Sequence, residues 1–249
     1  MAHRFFIDPA HWNPDAPRLA GEEAHHARHV LRLREGAPCV VFNGRGEEQA
    51  VRLAGMAGGE VVLEPGPVTR SGPPACRISL AQAIPKGRNM ELIVQKATEL
   101  GAAALHPVVT DRTIVRLDRA EARRKQEKWQ RLAVEACKQC GQDFLPEVGV
   151  PVSLPDLLAA RCADHDLVLV ASLQPGAGRL KPILAEFARA RGRVPASVLM
   201  LIGPEGDFTP EEIGMALAAG AQPMTLGPIV LRTETAALFC LSVLAHELL

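Results

Sequence analysis

No apolar run in this chain of 249 residues approaches the length needed to cross a bilayer, which takes a membrane span out of the reading. A secretory leader is not expected either. Met1 to Asp8 offers only a short apolar stretch and no small-residue cleavage site, so the protein is expected in the cytoplasm. The 6 cysteines are scattered from Cys39 to Cys240, unlike the dense pattern of a secreted disulfide scaffold. Cys137-Lys138-Gln139-Cys140 has the Cys-x-x-Cys spacing but falls inside a helical pattern, and no second pair completes a zinc site. It reads as a plain helix end, and no metal is expected. Charge of one sign is also lacking: 28 Lys and Arg balance 28 Asp and Glu, so no general field draws the molecule to nucleic acid. Any affinity for RNA must come from local basic patches. Gly-x-x-x-x-Gly-Lys-Ser/Thr and Gly-x-Gly-x-x-Gly are both absent, which removes ATP and NAD as first ligands. There is no internal repeat or low-complexity tract.

What is present divides in two. Up to about Val68, short branched runs such as Cys39 to Phe42, Gln49 to Leu53 and Glu60 to Leu63 are separated by glycine turns at 43–46 and 58–59. Such spacing indicates a small β-barrel or sandwich. One helical pattern interrupts it, from Gly21 to Leu33, with Ala27, Val30, Leu31 and Leu33 as its packing residues. His25, His26, Arg28, His29, Arg32 and Arg34 place several donors on the same segment, so it reads either as a surface helix or as a nucleic-acid contact. A metal site at His25 and His29 lacks the third ligand it would need. A linker rich in Gly and Pro then runs from Pro65 to Pro74.

Beyond it, strand and helix patterns alternate. Arg77–Ala83, Leu105–Val109, Leu167–Ala171, Ser197–Ile202 and Pro223–Leu226 read as strands, and Glu91–Leu100 and Arg124–Cys140 as helices. This is the signature of an open, mainly parallel sheet. The mixed-sign run Arg123 to Lys128 reads as a solvated helix face.

The end of the chain carries the chemistry. The buried strand Ser197–Ile202 runs into Gly203-Pro204-Glu205-Gly206-Asp207-Phe208, and Thr209-Pro210-Glu211-Glu212 then starts a helix with a capping box, stopped by Gly220. A second glycine turn, Leu226-Gly227-Pro228, follows the next strand, with Thr233 as the expected cap of a last helix. Two glycine loops at the carboxyl ends of parallel strands mark the usual ligand crevice of such sheets, although each residue alone could be plain turn or core.

These residues also carry a family likeness. Gly203-Pro204-Glu205-Gly206, Leu226-Gly227-Pro228 and Leu231-Arg232-Thr233-Glu234-Thr235-Ala236 resemble the RsmE family of 16S ribosomal RNA uridine-N3 methyltransferases, within the SPOUT superfamily. Lys86-Gly87-Arg88, Gln95-Lys96-Ala97-Thr98-Glu99-Leu100-Gly101, Glu135 to Gly141 and Leu145-Pro146 are similar as well. Ala24-His25-His26, His29 to Arg32 and Val40 to Gly44 resemble the family's amino-terminal PUA-like domain. The chain departs from the pattern at Gln142, where arginine is usual, at Asp207, where a second glycine is common, and at Ile229, where a basic residue often stands.

The resemblance implies an α/β fold: a SPOUT-type, trefoil-knotted, mainly parallel sheet over 74–249 with a PUA-like RNA-binding β-barrel over 1–70. It implies S-adenosylmethionine as co-substrate, 16S ribosomal RNA or the assembled small subunit as partner, and a homodimer. Leu173, Ile202, Gly203, Gly206, Leu226, Gly227, Leu231 and Thr235 become the expected cofactor contacts. Arg4, His25, His29, Arg32, Lys86 and Arg88 become the expected RNA contacts. Uracil N3 must lose a proton, and a fixed cation facing the resulting anion would lower the barrier. Arg232 is the candidate for that role, against an alternative of a salt bridge to Glu234 or Glu205. Glu205 is a candidate for proton acceptance or sulfonium contact. A ribose hydroxyl or guanine N1 as acceptor, and a non-catalytic assembly factor, are the competing readings.

Overall fold

The computed structural model describes residues 3–174 and 176–249, and the chain divides into two compact units. One comprises Met1–Pro73 together with Val134–Leu145; the other comprises Pro74–Ala133 and Pro146–Leu249.

The first unit contains strands β1 (His3–Phe6), β2 (Arg18–Leu19), β3 (Pro38–Phe42), β4 (Glu47–Ala57) and β5 (Glu60–Arg70). They form one sheet in the order β1-β3-β4-β5-β2, with β1 parallel to β3 and the other pairs antiparallel. Alternation along β4 turns Val51 and Leu53 inward to meet Phe5, Leu19, Val41, Val61 and Leu63. The β4–β5 hairpin closes on Gly58 and Gly59, whose positive φ angles of 60° and 87° favour glycine at both positions.

The helical segment of this unit is shorter than its pattern suggests. Helix α1 (Gly21–His25) passes directly into a π-helical turn, His26–Val30, in which Leu31 N donates to His26 O. The extra residue in that turn rotates Val30 out of the core, where it is 61% exposed rather than packed as its spacing predicts. Arg32 then takes φ +53° and ends the segment. The stretch 134–145 docks on the same unit. Gly46 N donates to Asp143 O, Leu145 N donates to Gly44 O, and Lys138 pairs with Glu23 at 3.0 Å. A Cβ on Gly46 would stand 2.5 Å from the Phe144 ring, so only glycine admits this approach.

In the second unit the strands are β6 (Arg77–Ala83), β7 (Ala104–Val109), β8 (Glu147–Val148), β9 (Val152–Ser153), β10 (Leu167–Ala171), β11 (Ser197–Ile202) and β12 (Gln222–Met224). Their order is β12-β10-β11-β6-β7-β8, β9 also pairs with β7, and every pairing is parallel. The helices are α2 (Asn89–Glu99), α3 (Arg119–Cys140, which continues into the first unit), α4 (Leu154–Arg161), α5 (Leu180–Arg191), α6 (Pro210–Ala218) and α7 (Thr233–Leu248). Leu154, Leu157 and Leu158 of α4 and Ala216 of α6 pack with Val168, Val170, Leu199 and Leu201. Helix α7 lies against β6, β11 and α2. Because β12 is at the sheet edge beyond β10, the segment 225–232 must pass the end of β10 to bring α7 back over β6 and β11. Among the described residues no helix is long and apolar enough to cross a membrane.

Toward the amino ends of β6, β7 and β8, burial holds His106 neutral. Its pKa falls from 6.5 to about 4, chiefly through desolvation, with Arg161 and His165 adding repulsion. His165 Nδ1 donates to Arg161 O at 2.8 Å, so its Nε2 accepts from Ser79 Oγ at 3.0 Å. A depressed histidine pKa means that the unfolded chain binds more protons between the two values, so stability falls as pH drops from about 6.5 to about 4. We predict an acid-side loss of about 3 kcal/mol from His106, measured by urea unfolding at neutral pH and near its folded pKa. A His106→Gln variant should lose that part of the pH dependence; an identical profile would contradict the assignment.

Candidate active site

Parallel strands β6, β10, β11 and β12 all end at one edge of the sheet, and the loops leaving them enclose a cleft of ≈ 410 Å³. Its walls are Ala171 to Leu173 after β10, Ile202 to Glu205 with Asp207 after β11, Leu226 after β12, Ile229 to Arg232, and the first turn of α7, with Asn89 from α2. The volume is within the range of small-molecule sites. The reversal of strand order around β10 puts this crevice at a topological switch point.

The loop 203–208 is held from several sides. Thr209 accepts from Glu212 N, and Glu212 Oε2 accepts from Thr209 N at 2.8 Å, which is the capping box that the sequence predicts. Asp207 takes φ +62°, a conformation in which glycine is unstrained and aspartate is among the few tolerated residues, and its Oδ1 accepts from Phe208 N. The departure at this position therefore keeps the turn. A Cβ on Gly203 would meet Phe208 and Asp207 at 3.2 Å, so the loop is closely packed at its start.

Thr233 is not the cap of α7. Arg232 holds the N-cap position without a side-chain cap bond, and Thr233 is the first helical residue, 4% exposed. Its hydroxyl donates to Gly203 O at 2.7 Å and accepts from Gln82 Nε2 at 2.9 Å. Burial of this hydroxyl between two other segments is what draws it off the local backbone. Gln82 on β6 is fully buried, also donates to Ala83 O, and leaves Oε1 without a partner among the described residues. Sequence reading places Gln82 in a strand and finds nothing else in it.

The charged residues lining the cleft are Glu205, Asp207, Glu234 and Arg232. Glu205 Oε1 accepts from Lys86 N at 2.8 Å, which fixes the carboxylate at the rim. Glu234 Oε2 accepts from Asn89 Nδ2 at 3.3 Å. Arg232 is exposed and has no acidic partner among the described residues, so the alternative of a salt bridge to Glu234 or Glu205 is not what the side chain does.

Of the expected cofactor contacts, Leu173, Ile202, Gly203, Leu226 and Leu231 line the cleft. Gly206 lines a neighbouring cleft instead, because Arg112 packs against it. Gly227 stands exposed at the tip of its turn with φ +110°, and Thr235 is rotated to the outside of the first turn of α7. Among the expected RNA contacts, His25, His29, Arg32, Lys86 and Arg88 are exposed, with the His25 and His29 rings 4.8 Å apart. Arg4 is different: it is committed to Glu48 and Asp143, with its side chain 13% exposed, and its guanidinium lies 4.8 Å from the centre of the Phe42 ring. Cys137 is buried, and desolvation pushes its thiol up to about 12, so it is no nucleophile.

Residues 72–245 match the model of an RNA methyltransferase domain, and residues 19–65 match that of an RNA methyltransferase PUA domain. The chain belongs to this RNA methyltransferase family. It is 33% identical over 236 residues to ribosomal RNA small subunit methyltransferase E of Bacillus subtilis, covering 92% of this chain and 89% of the relative. Identity to the protein of the same name from Synechocystis is 31% over 237 residues, covering 95% and 75%. The crystal structure of ribosomal RNA small subunit methyltransferase E from Neisseria gonorrhoeae, bound to S-adenosyl methionine, superimposes with a TM-score of 0.85 at 28% identity, covering 99% of this chain and 98% of that one. Membership in the family fits the cleft, whose three carboxylates and single cation suit a ligand with positive charge and not a phosphate.

Replacing Thr233 by Val strands the Gln82 amide and removes the donor to Gly203 O, at a cost of about 1–3 kcal/mol. Denaturant unfolding should show that loss, and Thr233→Ser should recover most of it. Equal stability of the Val variant would show that the hydroxyl link carries no weight.

Proposed function

We propose that this protein transfers the methyl group of S-adenosylmethionine to N3 of a uridine in 16S ribosomal RNA. It is an S-adenosylmethionine-dependent ribosomal RNA methyltransferase; the base, the atom and the small subunit are the finer part of the proposal. The observation that carries the reading is the electrostatics of the cleft. Glu205, Asp207 and Glu234 face a space otherwise walled by Leu173, Ile202, Leu226 and Leu231. An apolar slot rimmed by carboxylates fits an uncharged nucleoside attached to a sulfonium and an ammonium group. When bound, S-adenosylmethionine supplies an activated methyl group.

The chain's own residues do the rest. Leu226 and Leu231 offer walls for the adenine, and the backbone around Gly203 offers polar groups to the nucleoside. In-line displacement demands alignment of donor and acceptor, which is served by loops held through Thr233 and Glu212. Arg232, without a carboxylate partner and at the rim, is placed to face the oxygens of a uracil that has given up its N3 proton. Glu205 is the nearby carboxylate for that proton or for the sulfonium.

His25, His29 and Arg32 of the 1–70 domain, and Lys86 and Arg88 of the 74–249 domain, are read as RNA contacts. Ile229 and Val230 line the cleft yet stand 71% and 73% exposed, an apolar rim that supports a homodimer in which a second copy covers it. The passage of 225–232 over the end of β10 is read as the trefoil knot. A ribosomal RNA substrate puts the work in the cytoplasm.

Incubation with radiolabelled donor and either small subunits or naked 16S RNA, followed by nucleoside analysis, tests the reading. 3-Methyluridine is the expected product; a ribose-methylated nucleoside or 1-methylguanosine would replace the proposed acceptor, and no transfer would leave the assembly-factor reading. Arg232→Ala should lower kcat by about a hundredfold while the protein stays folded. Unchanged turnover would eliminate Arg232 from the chemistry.

A further inference from the structure

A second cleft adjoins the first. It is lined by Lys86, Asp111, Arg112, Thr113, Ile114 and Arg116, and it shares Glu205 with the apolar cleft. Where one is rimmed by acids, the other carries three cations against the carboxylates of Asp111 and Glu205. In a molecule of net charge zero, this is a local positive site of the kind that RNA binding requires.

Its cations stand on a fixed support. The turn from Thr110 to Thr113 is closed by Thr113 N to Thr110 O at 3.1 Å, Thr110 N to Thr113 Oγ1 at 3.1 Å, and the two hydroxyls at 2.8 Å from each other. Asp111 N donates to Glu212 Oε1 at 2.9 Å, which ties the turn to the capping box behind the 203–208 loop. Arg112 donates from Nη1 to Gly206 O, and its stem packs where a Cβ on Gly206 would come within 3.2 Å. The other N–H groups of its guanidinium, the Lys86 ammonium and the Arg116 guanidinium have no protein partner among the described residues. Ile114, 64% exposed, adds an apolar surface on which a base can rest. Asp111 adds an acceptor for a ribose hydroxyl, which a site for bare phosphate would not need.

We infer that this second cleft holds the sugar-phosphate segment next to the methylated nucleotide, with Lys86, Arg112 and Arg116 on its phosphates and Glu205 at the junction of donor and acceptor. The inference rests on the RNA methylation reading above. Adjacency is what the chemistry demands, because the acceptor must reach the donor's methyl from beside the donor's own cleft. The same turn that orders the phosphate-binding arginine is bonded to the element that orders the cofactor loop, so both substrates are aligned on one rigid frame.

The test uses the full chain, tritiated S-adenosylmethionine and 16S RNA. Lys86→Ala keeps the backbone N–H that Glu205 needs, and Arg116→Ala breaks no side-chain bond among the described residues. Each variant should raise KM for RNA by about tenfold with kcat nearly retained. The affinity for S-adenosylmethionine, measured by calorimetry, should not change. Filter binding of RNA over a series of salt concentrations should show the slope of log K against log salt reduced by about 1.4 in the double variant, two single-strand phosphate contacts. An unchanged KM and an unchanged slope in the folded double variant would overturn the site. A wild-type protein that transfers no methyl group would overturn the enzymatic reading instead, and the binding slopes would still decide whether RNA occupies this cleft.

Discussion

One buried hydroxyl holds the active end of the second unit together. Thr233 bonds at once to the amide of Gln82 on β6 and to the carbonyl of Gly203 at the end of β11. The chain reaches Thr233 only after leaving β12 at the far side of β10, so the bond fastens a returning segment to the middle of the sheet. Hydrogen bonds between buried groups are costly to leave unmade, which makes such a junction hard to slide. Everything that lines the cleft on the α7 side takes its position from it: Arg232 just before, Glu234 just after, and Ile229 to Leu231 strung across the gap.

The second organising device is charge placed by sign. The protein carries no net charge, yet its two neighbouring clefts differ: carboxylates dominate around the apolar slot, and cations dominate beyond Glu205. A methyl donor carries a positive sulfur and a nucleic-acid acceptor carries negative phosphates, so under the proposed function opposite linings would sort the two ligands into their places. Glu212 links the two halves physically, one carboxylate oxygen on Thr209 N and the other on Asp111 N. Buried at 3% exposure, it has satisfied both oxygens within the protein and is structural in its action.

How much of this is legible before folding depends on the range of the interaction. The capping box at Thr209 and Glu212 is written within four residues and forms as read. The principal strands of the parallel sheet are local apolar runs, and they too appear where the patterns put them, with the strand near Leu226 ending earlier, at Met224. Thr233 shows the limit. A threonine before an apolar helix looks like a cap, but its actual partners are 151 and 30 residues away, and nothing local announces them. Arg4 shows the same limit from the other side: an arginine near the start of the chain looks free for RNA until Asp143, 139 residues on, neutralises it.

The sequence by itself determined the parallel α/β sheet, the smaller β unit before it, and the two glycine loops that carry the family's residues, because each is set by periodicity, turn chemistry or motif over a short span. Tertiary structure alone decided that 134–145 belongs with the first unit, that Arg232 has no acidic partner among the described residues while Arg4 is spent on two, that Gly206 faces the basic cleft, and that Gln82 is tied through Thr233 to the loop beside the apolar cleft. These are questions of which distant groups meet, and a buried polar group finds its partner only when the chain has closed around it.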